Sequence, residues 1–239
     1  MGNHNPSAAD RLIFALDVGT EEEAKALVNE LKETIRFFKV GLQLFIATGH
    51  SVVKWLVDQE LNVFLDLKIY DIGETVRRSV GEVSRLGVKF LTIHGEDQTV
   101  EAAREGKGDA ELEILFVPLL TSLGEGSLGE CKSVDDYVQQ RAEMAMKHGC
   151  DGLITSGQNV PILRETLTAY DPILVCPGIR PRGDDADDQK RPTTPFEAIA
   201  RGADYLVVGR PIRNAHDRVA KAEEIILEID AALEGTVVS

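Results

Sequence analysis

Chemistry first becomes visible in the stretch Phe64-Leu65-Asp66-Leu67-Lys68-Ile69-Tyr70-Asp71. It opens apolar, as a buried strand does, and then sets Asp66, Lys68 and Asp71 within six positions. Residues two apart on a strand face the same side, so Asp66 and Lys68 share one face. A lone buried charge is costly, and a matched set of charges costs less. An ammonium flanked by carboxylates is kept cationic. Such a group can stabilise a developing negative charge or deliver a proton to it. Read by itself, the stretch also fits a plain surface ion pair at a loop start.

Other strand ends repeat the pattern. The run RLIFALD ends in Asp17, FFKVG carries Lys39, and VKFLTIH ends in His94. ELEILFVPLLT ends in Thr121, with Ser122 next; PILVCPG runs through Gly178 toward Arg180; DYLVVGR ends in Gly209 and Arg210. The first halves of these strands are mostly apolar. Polar groups gathered at one end of many strands describe a site, in which Asp17, Lys39, Asp66 and Lys68 can alternate in sign. Gly209-Arg210 suits a phosphate, since glycine lets the backbone approach closely and arginine can grip two oxygens. Arg180 and Gln189, on the loop after the seventh strand, can complete that grip. His94 reads as a hydrogen-bonded wall rather than a base. His4, His50, His148 and His216 read as solvated. The acidic run Asp184, Asp185, Asp187 and Asp188 reads as a solvated loop face. HExxH, HxxxH and EF-hand patterns are absent, so no metal site is expected.

These residues need elements to hold them. Apolar runs at 11–17, 37–41, 62–68, 88–94, 111–121, 151–155, 172–178 and 204–210 read as eight strands. Helix-like segments follow them at 20–35, 42–60, 74–86, 98–105, 133–148, 159–169, 195–201 and 215–234. The first has Thr20 as its N-cap with Glu23 three residues on, a capping box. Nearly continuous apolar strands imply a parallel sheet covered on its outer face. Eight strand–helix units in this length fit a single-domain (β/α)₈ TIM barrel, an α/β fold, over residues 11–239, with 1–10 a flexible polar tail. The GxGxxG fingerprint of a doubly wound sheet is missing after the first strand. In such barrels the reactive face lies at the carboxyl ends of the strands, where the charges fall here. The polar loop at 179–194 is long enough to read as a lid.

Composition narrows the partners. The chain has 239 residues, 43% of them hydrophobic, and a net charge of -14. That charge disfavours nucleic acid and anionic membrane as partners and leaves only a local cationic pocket for an anion. Three widely spaced cysteines, Cys131, Cys150 and Cys176, suggest ordinary reduced thiols. No apolar run is long enough to span a membrane, and the N-terminus lacks a secretory h-region. A cytoplasmic location is expected.

With these residues assembled, the chain resembles the orotidine 5′-monophosphate decarboxylase family. The resemblance rests on FALD (14–17), FKVG (38–41), DLKIYDIGETV (66–76), LLTS (119–122), PGIR (177–180), Gln189 and VVGRPI (207–212), and spans about residues 11–220. It implies decarboxylation of orotidine 5′-monophosphate (OMP) to UMP in pyrimidine biosynthesis, without a cofactor, by a monofunctional homodimer. It implies a catalytic network of Lys39, Asp66, Lys68 and Asp71, with Lys68 as proton donor to the C6 carbanion. Asp17 would hold ribose hydroxyls. Asp71 and Thr75, beside Ile72, would reach the partner subunit's site. Thr121 or Ser122 would lie near the pyrimidine, and Arg180, Gln189, Gly209 and Arg210 would serve the phosphate. The nearest alternative is a Mg²⁺-dependent sugar-phosphate decarboxylase or aldolase of the same barrel lineage, which shares a DxKxxD core. A non-catalytic nucleotide-binding barrel is a further alternative.

Overall fold

The computed structural model describes residues 6–119, 133–182 and 193–235. Its strands are β1 Leu12–Ala15, β2 Phe37–Gly41, β3 Asn62–Ile69, β4 Phe90–Ile93, β5 Glu113–Phe116, β6 Gly152–Ile154, β7 Ile173–Cys176 and β8 Tyr205–Val208. They pair in sequence order, all parallel, and β1 returns to β8, so the sheet closes as a barrel. The helices are α1 Glu21–Leu31, α2 Leu42–Thr48, α3 Ser51–Asp58, α4 Gly73–Ser84, α5 Asp97–Lys107, α6 Val134–Lys147, α7 Val160–Thr166, α8 Pro195–Ala200, α9 Arg210–Arg213 and α10 Arg218–Glu234. The expected (β/α)₈ barrel is the observed one.

Alternation along the strands builds two cores. Leu12, Phe14, Phe38, Val63, Leu65, Leu91 and Ile93 belong to the layer packed between sheet and helices. Their neighbours Ile13, Ala15, Phe37, Phe64 and Phe90 belong to a separate interior cluster with Leu115, Val117, Ile154, Val175, Tyr205 and Val207. The period of two thus sends one set outward and the other into the barrel. At the amino-terminal end the interior is packed with rings: Phe37 and Phe90 lie 5.0 Å apart, Phe90 and Tyr205 5.1 Å. The Lys89 ammonium sits over Phe37, Phe90 and Tyr205 at 5.6, 5.7 and 5.6 Å, a cationic cap on that floor.

Some boundaries differ from the sequence reading. The segment expected as one helix over 42–60 is two, α2 and α3, broken at Gly49. Gly49 takes φ 58° and its N–H donates to the Phe45 carbonyl at 2.7 Å, ending α2 with a conformation that glycine adopts cheaply. The last helix starts later than expected, at Arg218, where the Asp217 side chain accepts from the Ala220 N–H. Thr20 does cap α1, accepting from the Glu23 N–H at 3.2 Å. The end of the polar N-terminal segment is tied down: Ala9–Arg11 form a 3-10 turn, and buried Arg11 donates to the Asp204 carbonyl. His148 is not solvated as expected; it is half-buried, with Nδ1 2.8 Å from Glu101 Oε1.

Candidate active site

A pocket of about 290 Å³ opens at the carboxyl ends of the strands. Its floor is the interior apolar layer, with Ala15, Phe64, Val117, Ile154 and Val207 in its lining. Around that floor stand Asp17 from β1, Lys39 from β2, Asp66 and Lys68 from β3, Arg180 after β7, and Gly209 and Arg210 after β8. Among the described residues of its lining, four cationic groups face two carboxylates, so this part of the pocket is positive in a chain of net charge -14.

The charges alternate in contact. Lys39 Nζ lies 3.0 Å from Asp17 Oδ1 and 3.7 Å from Asp66 Oδ2. Lys68 Nζ lies 2.7 Å from Asp66 Oδ1. Exposure grades along the series. The Lys39 and Asp66 side chains are 11% and 16% exposed, those of Lys68 and Asp17 39% and 51%. Buried charge therefore sits in the middle and solvated charge at the ends, which limits the desolvation cost. Burial alone would raise the Asp66 carboxyl. Lys39, Lys68 and a hydrogen bond from Thr92 outweigh it and hold Asp66 below the usual aspartate value.

The strand carrying this pair is irregular. Leu65 pairs with Leu91 and Ile69 with Ile93, so Asp66, Leu67 and Lys68 together stand opposite Thr92 alone. Lys68 takes φ 50°, a left-handed conformation unusual for a residue with a Cβ. The Thr92 hydroxyl fills the gap: it accepts from the Lys68 N–H at 2.9 Å and donates to Asp66 Oδ1 at 2.8 Å. Thr92 is fully buried and went unnoticed in the sequence. The available signal was parity, because it shares the inward side of β4 with Phe90 and is the polar member of an apolar run.

Arg180 is buried beside the pocket, with its backbone N–H donating to the Thr193 carbonyl at 3.0 Å. Gly178, just before it, takes φ 76° in the turn that leaves β7. His94 is half-buried, with Nδ1 2.7 Å from the Val117 carbonyl and its ring stacked on Phe116. Asp71, Ile72 and Thr75 are exposed and do not line this pocket. Asp71 instead accepts from the Ile72 N–H at 2.7 Å. Thr121, Ser122, Gln189 and the acidic run at 184–188 lie outside the described residues. The same holds for most of the loop read as a lid. Among the described residues, no helix is long and apolar enough to cross a membrane.

A closed barrel with a charged pocket at the carboxyl ends of its strands defines an enzyme of the (β/α)₈ class. The chain belongs to the Orotidine 5'-phosphate decarboxylase / HUMPS family, whose model matches residues 10–225. An Orotidine 5'-phosphate decarboxylase from Rhodopseudomonas palustris (strain HaA2) is 44% identical over 235 residues, 97% of this chain and 100% of that protein. One from Methylococcus capsulatus is 46% identical over 222 residues, 91% of this chain and 90% of that protein. The crystal structure of Orotidine 5'-phosphate decarboxylase from Lactobacillus acidophilus superposes with a TM-score of 0.81 at 34% identity, covering 93% of this chain and 100% of that one.

Proposed function

We propose that the protein is a carboxy-lyase that converts OMP to UMP in pyrimidine biosynthesis, with Lys68 delivering the proton to C6. The carrying observation is the contact series Asp17–Lys39–Asp66–Lys68 at the mouth of the barrel. Loss of CO₂ from the pyrimidine leaves an electron pair on a ring carbon outside the π system. Without an electron sink, that charge must be met by groups already in place. Lys68, half-exposed toward the pocket and 2.7 Å from Asp66, is a fixed ammonium of that kind. It neutralises the carbon as the C–C bond breaks and then transfers a proton to it. Asp66, kept ionised, orients Lys68, and Lys39 keeps Asp66 in register. No cofactor enters this scheme.

The phosphate end belongs to Arg180, Gly209 and Arg210, with Gln189 from the same loop as Arg180. The phosphate does no chemistry. Its binding energy organises the distant end of the site. The ribose hydroxyls fall to Asp17.

The active form in this reading is a homodimer in which Asp71, Ile72 and Thr75 serve the partner's site. Their exposure away from the pocket supports it, as do the exposed apolar side chains Leu42, Ile46, Tyr70 and Ile72 on the segments that follow β2 and β3. Free, buried Cys150 and Cys176 suit the reducing cytoplasm.

The test is the ultraviolet change of OMP on mixing with the protein, with and without EDTA. Turnover that survives chelation and yields UMP is expected. No turnover, or a strict need for Mg²⁺, sinks the reading.

A further inference from the structure

We propose that Thr92 is a positioning residue for this reaction: its hydroxyl sets the β3 bulge that holds Lys68 against Asp66. The inference rests on the decarboxylase reading above and adds a residue from a neighbouring strand to it.

Three observations carry it. First, the register of β3 against β4 places three residues, Asp66, Leu67 and Lys68, opposite Thr92 alone. Bulges are uncommon between parallel strands and re-aim side chains where they occur. Second, Lys68 holds φ 50°. A side-chain-bearing residue keeps such a conformation only where surrounding contacts over-determine it. Third, the same hydroxyl oxygen meets both ends of the bulge, accepting from the Lys68 backbone N–H and donating to Asp66 Oδ1. In a regular ladder a backbone carbonyl takes the role that the threonine oxygen takes here. The hydroxyl proton is directed at the carboxylate oxygen that also receives the Lys68 ammonium at 2.7 Å.

The geometry is closed on itself. Thr92 Oγ1 fixes the Lys68 backbone, Asp66 fixes the Lys68 side chain, and Thr92 fixes Asp66. Removing the hydroxyl frees both anchors together. Alanine or valine at this position leaves Asp66 with one donor fewer and Lys68 without the bond that holds its N–H. Serine keeps both bonds and removes only a methyl group.

The test compares Thr92→Val and Thr92→Ser in the full chain. Valine matches threonine in shape and suits a buried strand. Thr92→Val is expected to lower kcat for OMP about a hundredfold, the scale of a small misplacement in a preorganised site. The Kd for UMP, which has no carboxylate to place, is expected to stay within about fivefold. Thr92→Ser is expected to recover kcat to within about fivefold of wild type, because the hydroxyl returns. In a crystal structure of Thr92→Val, Lys68 is expected to leave its left-handed conformation or to part from Asp66.

Wild-type turnover with full kcat in Thr92→Val overturns the role of Thr92 and leaves the decarboxylase reading standing. Equal losses in the valine and serine variants also overturn it, since the methyl group would then matter as much as the hydroxyl. A wild type inactive on OMP sinks the reading of function. The crystal structure of Thr92→Val still decides the positioning claim, which fails if the Lys68–Asp66 geometry is unchanged. If Thr92→Val does not fold, Thr92→Ala is judged by the same criteria. Failure of both to fold overturns the proposal in favour of a purely structural threonine.

Discussion

Lys68 reaches back along its own strand to place its ammonium 2.7 Å from Asp66 Oδ1, while its backbone stands at φ 50°. The sequence separation of two would put both side chains on one face of any strand. The bulge does more, because it lifts the lysine out of the regular ladder and aims it over the pocket. A strained backbone at the proposed proton donor is the kind of local cost that proteins carry at functional sites.

Removing the ammonium should therefore cost activity and little stability. Lys68→Ala is expected to lower kcat by about 10²–10⁴-fold or more, the range for loss of a general acid that also stabilises charge. Lys68 is half-exposed, so the fold should survive. Lys68→Gly should melt above Lys68→Ala, because both lack the ammonium and glycine accepts a positive φ without strain. Stopped assays and thermal melts read both outcomes. Near-normal turnover in the alanine variant contradicts the assignment.

Arg210 is expected to act through binding. Arg210→Ala should raise KM for OMP by at least about tenfold, the cost of about 1.4 kcal/mol for a lost charge-assisted contact. Orotidine, which lacks the phosphate, should be handled equally poorly by the variant and the wild type. Equal damage toward both substrates would remove Arg210 from the phosphate.

The proposed sharing of sites between subunits makes a complementation test available. Lys68→Ala and Asp71→Ala should each be nearly inactive alone. If Asp71 serves the partner subunit, mixing them under conditions of subunit exchange builds one intact site in each mixed dimer. Random exchange then restores about a quarter of wild-type activity, as expected for a two-fold symmetric pair. No recovery, with mixed dimers demonstrated by mass spectrometry, places Asp71 in its own subunit's site.

Asp66 links the site to stability at acid pH. Its carboxyl is held below the usual aspartate value, so the native state binds its proton less readily than the unfolded chain does. This contribution is complete above the usual value, about 3.9, and is lost as pH falls through the folded value. The stability of wild type relative to Asp66→Asn should be flat near neutrality and decline below about pH 4. Urea unfolding at several pH values measures it. A decline that begins near neutrality contradicts the shift.

The two described thiols should be inert in the native protein. Burial, first of all, pushes Cys176 up to about 12 and raises Cys150 as well, so little thiolate exists at pH 8. Iodoacetamide followed by peptide mapping should modify Cys150 and Cys176 only after denaturation. Rapid native labelling of either would show that the core opens more readily than its packing implies.

Much of the fold was legible because buried parallel strands are written as apolar runs. FFKVG at 37–41 matches β2 residue for residue. The charges of the site were legible because Asp17, Lys39, Asp66 and Lys68 each interrupt or end such a run. The break at Gly49 was not, since the apolar spacing of a helix continues across it. The β3 bulge was not either. LDLKI alternates cleanly, contains no glycine, and gives no sign that Lys68 is left-handed. Thr92 looked like any β-branched strand residue, because its two hydrogen bonds depend on the register of a neighbouring strand. His148 looked solvated because Glu101, its partner, lies on a different helix.

The ring-packed floor capped by Lys89 closes the amino-terminal end of the chamber. A molecule that enters from the carboxyl end of the barrel, where the cations stand, leaves by that same end. For a decarboxylation, two products of very different character then share one exit. The gas is small and uncharged, so the charged groups among the described lining residues hold it weakly. If Arg180 and Arg210 hold the nucleotide's phosphate as proposed, the nucleotide is the slower traveller and the gas departs first.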